Sequence, residues 1–421
     1  MHKRQLQLDR RDRTMELYFP LVLDGANGTE LQKRGYDGSV CAETWVLEHP
    51  EVMQQIQREY AEAGSDIVYA PTFGANRVKL EENGIFNQVA DYNRRLVAVS
   101  KEAVDGKALV AGDIATTGKF LAPVGDVAFA ELYDIYHEQA EAMADAGVDM
   151  FVIETIMTVP DARAALLAVR DVSDKPVLVS FTCDENGRTL TGTDVLAALV
   201  IIQGMGVDAF GLNCSTGPDM MVKQAARLSS LANVPLAIKP NAGLPKTIEG
   251  KTVYDCTPEE FVRYTADFAD CGAVLFGGCC GTGPEHISAL KKSLEGIEMK
   301  KPVPDAGTEG KIICATEKDV FILDRDITIS DTIKCGHDLE HRIRQANRSE
   351  AEIIAVEIRS EDDLDEFEYA QYAIRKPLCI VCDDADLLGQ ALMLYQGRAL
   401  YAGGLSDEQL LPLMRKYGLI A

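Results

Sequence analysis

Three cysteines carry the sharpest chemical signal in this 421-residue sequence: Cys214 in GLNCSTGP, and the adjacent Cys279 and Cys280 in FGGCCGTGPEH. Neighbouring residues on a regular strand point to opposite faces, so two adjacent cysteines share one metal only where the backbone leaves the pleat. Gly277, Gly278 and Gly281 allow that departure. Three converging thiolates would hold one tetrahedral Zn2+ and leave a fourth position for an exogenous ligand. The alternative is three buried cysteines behaving as small hydrophobes. Their glycine flanks, and their position where apolar runs end, favour the metal.

An open position on such a zinc has a definite use. The metal deprotonates a coordinating thiol, so a substrate thiol is held as a nucleophile at neutral pH. The reaction class implied is S-alkylation, by in-line attack of sulfur on a methyl group. Asp24 in LDGANGTEL and Glu154 in VIETI would then suit an ammonium group on the thiol substrate. Backbone N–H groups around Gly25 and Ala26 would suit its carboxylate. Taken singly, either acid reads equally well as a helix cap or a rim ion pair.

These residues need a scaffold, and the hydrophobic pattern supplies one. Apolar, β-branched runs alternate with helical stretches from residue 18 to about 292, and eight such runs are expected as strands at 20–26, 66–73, 108–114, 150–155, 176–183, 209–214, 235–241 and 273–280. Amphipathic segments at 51–63, 130–146, 194–205 and 259–270 lie between them. Near-continuous apolar strands, each followed by a helix, predict a (β/α)8 TIM barrel. A weak repeat supports the count. AEAGSDIVYAPT, ADAGVDMFVIET, QGMGVDAFGLNC and ADCGAVLFGGCC each show a helix end, a glycine suited to a left-handed cap and then a strand. Polar residues arrive as the strands end: Asp24, Thr72, Asp113, Glu154, Thr182, Asn213, Lys239 and the cysteines. Together they would form one mouth, the face where barrel enzymes keep their chemistry.

The domain reading follows. Residues 1–17 are expected as a mobile leader and 18–295 as the zinc- and substrate-binding barrel, with 296–310 a Pro/Gly-rich linker. Residues 311–421 form a smaller unit, with strand-like runs at 312–315, 320–323, 352–358, 378–382 and 399–402 and helical stretches at 338–346, 362–373, 386–395 and 407–417. That is too few strands for a closed barrel, so an open α/β layer is expected.

Composition narrows the partners. Lys and Arg number 42 against 66 Asp and Glu, a net charge of −24, which disfavours binding to nucleic-acid phosphates. The longest apolar stretch, 195–202, is far short of a membrane helix. Eleven cysteines in a chain with 47% apolar residues fit thiols or metal ligands in a reducing compartment, so the cytoplasm is the expected location. Self-association as a homo-oligomer stays open. Other motifs carry less. Cys379 and Cys382 fall within one strand and read as core; His337 and His341 lie in a charged helix and read as surface; His286 reads as a helix-start residue.

The set LDGANGTEL, YAPTFGANRVKL, GDIATTGKFLAPVGD, FVIETI, GLNCSTGP and GGCCGTGPEHI closely resembles the homocysteine S-methyltransferase family over roughly residues 18–293. The resemblance implies a zinc held by Cys214, Cys279 and Cys280, with homocysteine contacted by Asp24, Gly25, Thr72 and Glu154, and methionine as product. The stretch 112–126 looks more like the cobalamin-dependent methionine synthase branch than the betaine-using one, although Ala115 stands where that branch usually has glycine. The implied donor is methylcobalamin or another methylcorrinoid. No D-x-H-x-x-G signature of a cobalamin-binding module occurs, so a separate corrinoid protein is the expected partner. RKPLCIVCDDADLLGQALMLYQGRALYAGG is similar to one β-α-β segment of that enzyme's folate-binding barrel. The alternatives are methyl transfer to another small thiol, betaine or S-methylmethionine as donor, or a non-catalytic zinc barrel.

Overall fold

Eight short strands form a parallel ring in a computed structural model that describes residues 20–248, 251–303 and 305–421. The leader expected at 1–17 lies outside the described residues. The strands are Leu21–Val22 (β1), Ile67–Tyr69 (β2), Leu109–Ile114 (β3), Met150–Ile156 (β4), Val177–Phe181 (β5), Ala209–Asn213 (β6), Leu236–Lys239 (β7) and Ala273–Phe276 (β8). β1 pairs with β8, the others pair in sequence order, and a parallel bridge between Leu23 and Ile67 brings β1 against β2. The fold is the expected (β/α)8 barrel. Its interior is filled by Leu23, Ile67, Tyr69, Val152, Leu178 and Leu275. Helices cover the outside, so the strands are buried on both faces and read as apolar runs.

The four repeat glycines do what their position implied. Gly64, Gly147, Gly206 and Gly272 all have φ between 76° and 107°, and each turns the chain from a helix end into an even-numbered strand. The strands stop earlier than the apolar runs do. Asp24, Thr72, Cys214, Cys279 and Cys280 all lie one or more residues past their strands, in the first turn of the mouth loops. The helix expected at 259–270 is broken into Pro258–Phe261, a 3-10 turn at Val262–Tyr264, and Thr265–Asp270. There the Thr265 hydroxyl donates to the Val262 carbonyl at 2.8 Å.

After a stretch with one short turn at Ala306–Thr308, a second layer begins. Strands Ile312–Ala315 (β9) and Val320–Leu323 (β10) form an antiparallel hairpin. Ile333–Lys334 (β11), Ile354–Glu357 (β12), Leu378–Val381 (β13) and Leu400–Ala402 (β14) form an open parallel sheet in that order. Helix Val195–Gly204 is apolar on every side, a pattern compatible only with full burial. It packs against both barrel and hairpin. Arg163, fully buried on helix Val159–Val172, donates to the carbonyls of Leu392 (2.7 Å) and Met393 (3.1 Å) and to Gln396 Oε1 (3.2 Å). Those carbonyls end helix Ala385–Leu394, where a cation is favoured. No helix among the described residues is long and apolar enough to cross a membrane.

Candidate active site

Cys214 reaches the mouth because its backbone leaves the pleat. It has φ 63° and Ser215 has φ 59°, both in the left-handed region that side-chain-bearing residues rarely occupy. On the opposite side, Gly281 has φ 84°, and a Cβ there would collide with Tyr254. These two turns aim the thiols of Cys214, Cys279 and Cys280 at one point, all three sulfurs lying within 4.8 Å of one another. Cys214 and Cys280 are 3.9 Å apart. A tetrahedral zinc with Zn–S bonds of about 2.3 Å spaces its sulfurs about 3.8 Å apart, so the donor set fits the ion in type and spacing. Hydrogen bonds with Cys214 and Cys279 push the Cys280 thiol down to about 3, and those with Cys214 and Cys280, together with burial, push Cys279 well above its usual range.

Beneath the sulfurs lies a buried charged group. Asp24 is fully buried; its Oδ2 accepts from the Tyr69 N–H at 2.8 Å and its Oδ1 from Lys239 Nζ at 3.0 Å. The same ammonium is 3.9 Å from Glu154 Oε2 and 3.5 Å from the Tyr69 ring centroid, a cation–π contact. Asn213 links acid to sulfur: its Nδ2 lies 3.4 Å from Glu154 Oε2 and 3.9 Å from Cys279 Sγ. Asn213 is held by Ser180 Oγ at 2.8 Å and the Thr155 N–H at 2.9 Å. Burial pushes Glu154 up to about 7, against the pull of Lys239. Burial and the neighbouring Glu154 push Asp113 well above the carboxylate range, and its Oδ1 has no hydrogen-bond partner among the described residues.

The sequence-selected residues divide. Asp24, Glu154 and the three cysteines come together at one mouth, with Gly25 seated under the Tyr60 ring. Thr72 turns to the neighbouring strand, donating to the Asp113 carbonyl at 2.8 Å and accepting from its N–H at 3.0 Å. The Ala26 N–H donates to the Thr282 carbonyl at 3.3 Å. His286 sits at its helix start, accepting from the Gly283 N–H at 3.2 Å. Cys379 and Cys382 are buried core residues, and His337 and His341 are on the surface. In the sequence, Lys239, Asp113 and Asn213 stand out only as strand-end polar residues, and Tyr69 and Tyr254 carry no sign of a role. The signal for Lys239 was a lysine closing an otherwise apolar strand, LAIK.

Fold and site together define a TIM-barrel protein with three cysteines placed where they could hold a metal ion, beside a group of buried acids. The chain belongs to the homocysteine S-methyltransferase family, whose profile matches residues 21–294. The methionine synthase of Mycobacterium tuberculosis is 34% identical over 298 residues, covering 66% of this chain and 25% of its own length. That of Mycobacterium leprae is 35% identical over 287 residues, covering 63% and 24%. The chain therefore spans about a quarter of the length of these curated relatives. The metallated homocysteine methyltransferase MmuM from Escherichia coli superposes with a TM-score of 0.56 at 24% identity, covering 65% of this chain and 95% of that one, a likeness of fold.

Proposed function

We propose that this protein is a zinc-dependent S-methyltransferase that takes homocysteine to methionine. The observation that carries the reading is the convergence of three sulfurs within 4.8 Å beside a group of buried acids, with Asn213 between Glu154 and Cys279. Cys214, Cys279 and Cys280 would hold the zinc, which keeps a bound substrate thiol ionised at neutral pH. Glu154 and Asp24 together give this part of the mouth the acidic character that suits an α-ammonium, and the Gly25–Ala26 turn and Thr72 would lie toward the carboxylate end. Asn213 fixes Glu154 relative to the sulfurs, which sets the distance between amino group and thiol in a fitting substrate. In the reaction a C–S bond forms as the donor's bond to the methyl carbon breaks, and the electron pair leaves with the donor.

The donor we propose is methylcobalamin or another methylcorrinoid, carried on a protein outside these 421 residues. Support comes from the stretch 112–126 and from the methionine synthase relatives. Residues Lys119, Phe120 and Val124 of that stretch line a cavity of about 670 Å3 together with Tyr369, Tyr372 and Arg375 of the C-terminal layer. This neighbourhood supports a role for residues 311–421 in orienting an incoming donor protein. The test is to incubate the zinc-loaded protein and homocysteine in parallel with a methylated corrinoid protein, free methylcobalamin, methyltetrahydrofolate, betaine and S-methylmethionine. Methionine from the corrinoid arms is expected. Faster turnover with betaine or S-methylmethionine would overturn the donor assignment, and no methionine from any arm would overturn the activity.

A further inference from the structure

We propose that Lys239 is a positioning residue that sets substrate choice: it takes Asp24 as its own counter-ion and leaves Glu154 as the acid that receives the substrate's ammonium. The inference rests on the homocysteine reading above and assigns the two acids different jobs.

The geometry separates them. Both oxygens of Asp24 are committed, one to Lys239 at 3.0 Å and the other to the Tyr69 N–H at 2.8 Å, with no exposure to solvent. Lys239 is itself 4% exposed and pinned over the Tyr69 ring, so Asp24 already has a desolvated cation in contact. Among the described residues, Glu154 has only a long Asn213 bond at 3.4 Å and the lysine at 3.9 Å, beyond hydrogen-bond reach. Asp113 has an oxygen with no partner among the described residues. Three buried carboxyl groups face one buried ammonium. A buried charge is costly until it is paired, so the pocket favours a ligand that brings a second cation to the Glu154 side. A thiol with an amino group meets that demand; the same thiol without one does not.

The experiment measures thiol selectivity by isothermal titration of the zinc-loaded full chain, with zinc content determined for every variant. The ligands are homocysteine and 4-mercaptobutanoate, which keeps thiol and carboxylate but lacks the amino group. The wild type is expected to prefer homocysteine by about tenfold to a hundredfold, the range for one charge-assisted hydrogen bond. Glu154→Gln should abolish the preference. Asp24→Asn should lower it as well, because the released Lys239 ammonium would turn to Glu154. The decisive variant is Asp24→Asn with Lys239→Met, which removes the pair together and should recover the wild-type preference. A double variant as unselective as Glu154→Gln would overturn the inference, since Asp24 would then touch the ammonium itself. Should Asp24→Asn fail to fold with an unpaired buried lysine, the neutral double variant compared with the wild type still decides. A zinc-loaded wild type that binds both thiols equally, or neither, would overturn the homocysteine reading before any variant is compared.

Discussion

Glu154→Gln should make the metal-free protein more stable while spoiling its site. Burial raises the Glu154 carboxyl from its ordinary 4.5 to about 7, and the nearby Lys239 only partly opposes this. A carboxyl whose pKa rises on folding holds its proton more tightly in the native state. Between those two pH values the folded chain therefore carries more protons than the unfolded one, and stability falls as pH rises. Below about pH 4.5 the side chain costs nothing by this route; above about pH 7 the loss is complete. At about 1.4 kcal/mol per pH unit, the full loss is about 3 kcal/mol. Glutamine has the same shape and no charge, so the variant's advantage should be under about 1 kcal/mol at pH 5 and approach about 3 kcal/mol at pH 8. Asp113, raised in part by the Glu154 charge, is relieved in the same range. The assay is urea unfolding of chelator-treated wild type and variant at pH 5 and pH 8. An equal advantage at both pH values, or a larger one at pH 5, would refute the assignment of an uncompensated buried carboxylate.

Three other outcomes follow. Cys214→Ser, Cys279→Ser and Cys280→Ser should each lose zinc and methyl transfer, because a hydroxyl does not replace a soft thiolate; the far-UV circular dichroism should persist, and full activity without zinc in any of them would sink the site. Gly281→Ala combines a left-handed backbone with a clash against Tyr254, so metal analysis after dialysis should find weaker zinc retention than in wild type, with the barrel still folded; unchanged retention would show that the turn does not aim Cys280. Arg163→Ala strips donors from two helix-end carbonyls and Gln396, and should destabilise the chain by about 3 kcal/mol or more in denaturant unfolding; a loss under about 1 kcal/mol would mean that solvent replaces the guanidinium.

The barrel was legible because its strands are buried on both faces, which prints them as apolar runs, and because Gly64, Gly147, Gly206 and Gly272 mark the helix-to-strand turns before the even-numbered strands. The runs overstated the strands, since apolar side chains such as Ala26 and Ala70 stay buried after the ladder has ended. In the second layer, β11 has two residues, too few to show any alternation. Cys214, Cys279 and Cys280 stood out among eleven cysteines by their glycine flanks and their place at the ends of apolar runs. Lys239 did not, because its meaning lies in a partner 215 residues away that only the closed ring brings within 3.0 Å. Asn213 is hidden for a similar reason: its amide matters by what it joins, Glu154 on one side and Cys279 on the other.

Cys214 shows why the scaffold must be rigid. A side-chain-bearing residue at φ 63°, followed by another at φ 59°, costs on the order of 1–3 kcal/mol each and persists only where its surroundings leave no alternative. Here the constraints are visible: the Cys214 N–H is tied to the Lys239 carbonyl at 3.1 Å, and the Thr216 N–H to the Cys214 carbonyl at 2.7 Å. Glycine at 214 would remove the strain and with it the thiol. The strained turn is thus the local cost of placing a third sulfur 3.9 Å from Cys280 while its own backbone anchors the lysine that neutralises Asp24. Beside the Asn213 amide, a backbone hydrogen bond joins the cysteine cluster to the acid group, from the first residue past β6 to the last residue of β7. A change that relaxes the turn at 214 should therefore disturb thiol selectivity as well as zinc binding, whereas independent sites would respond separately.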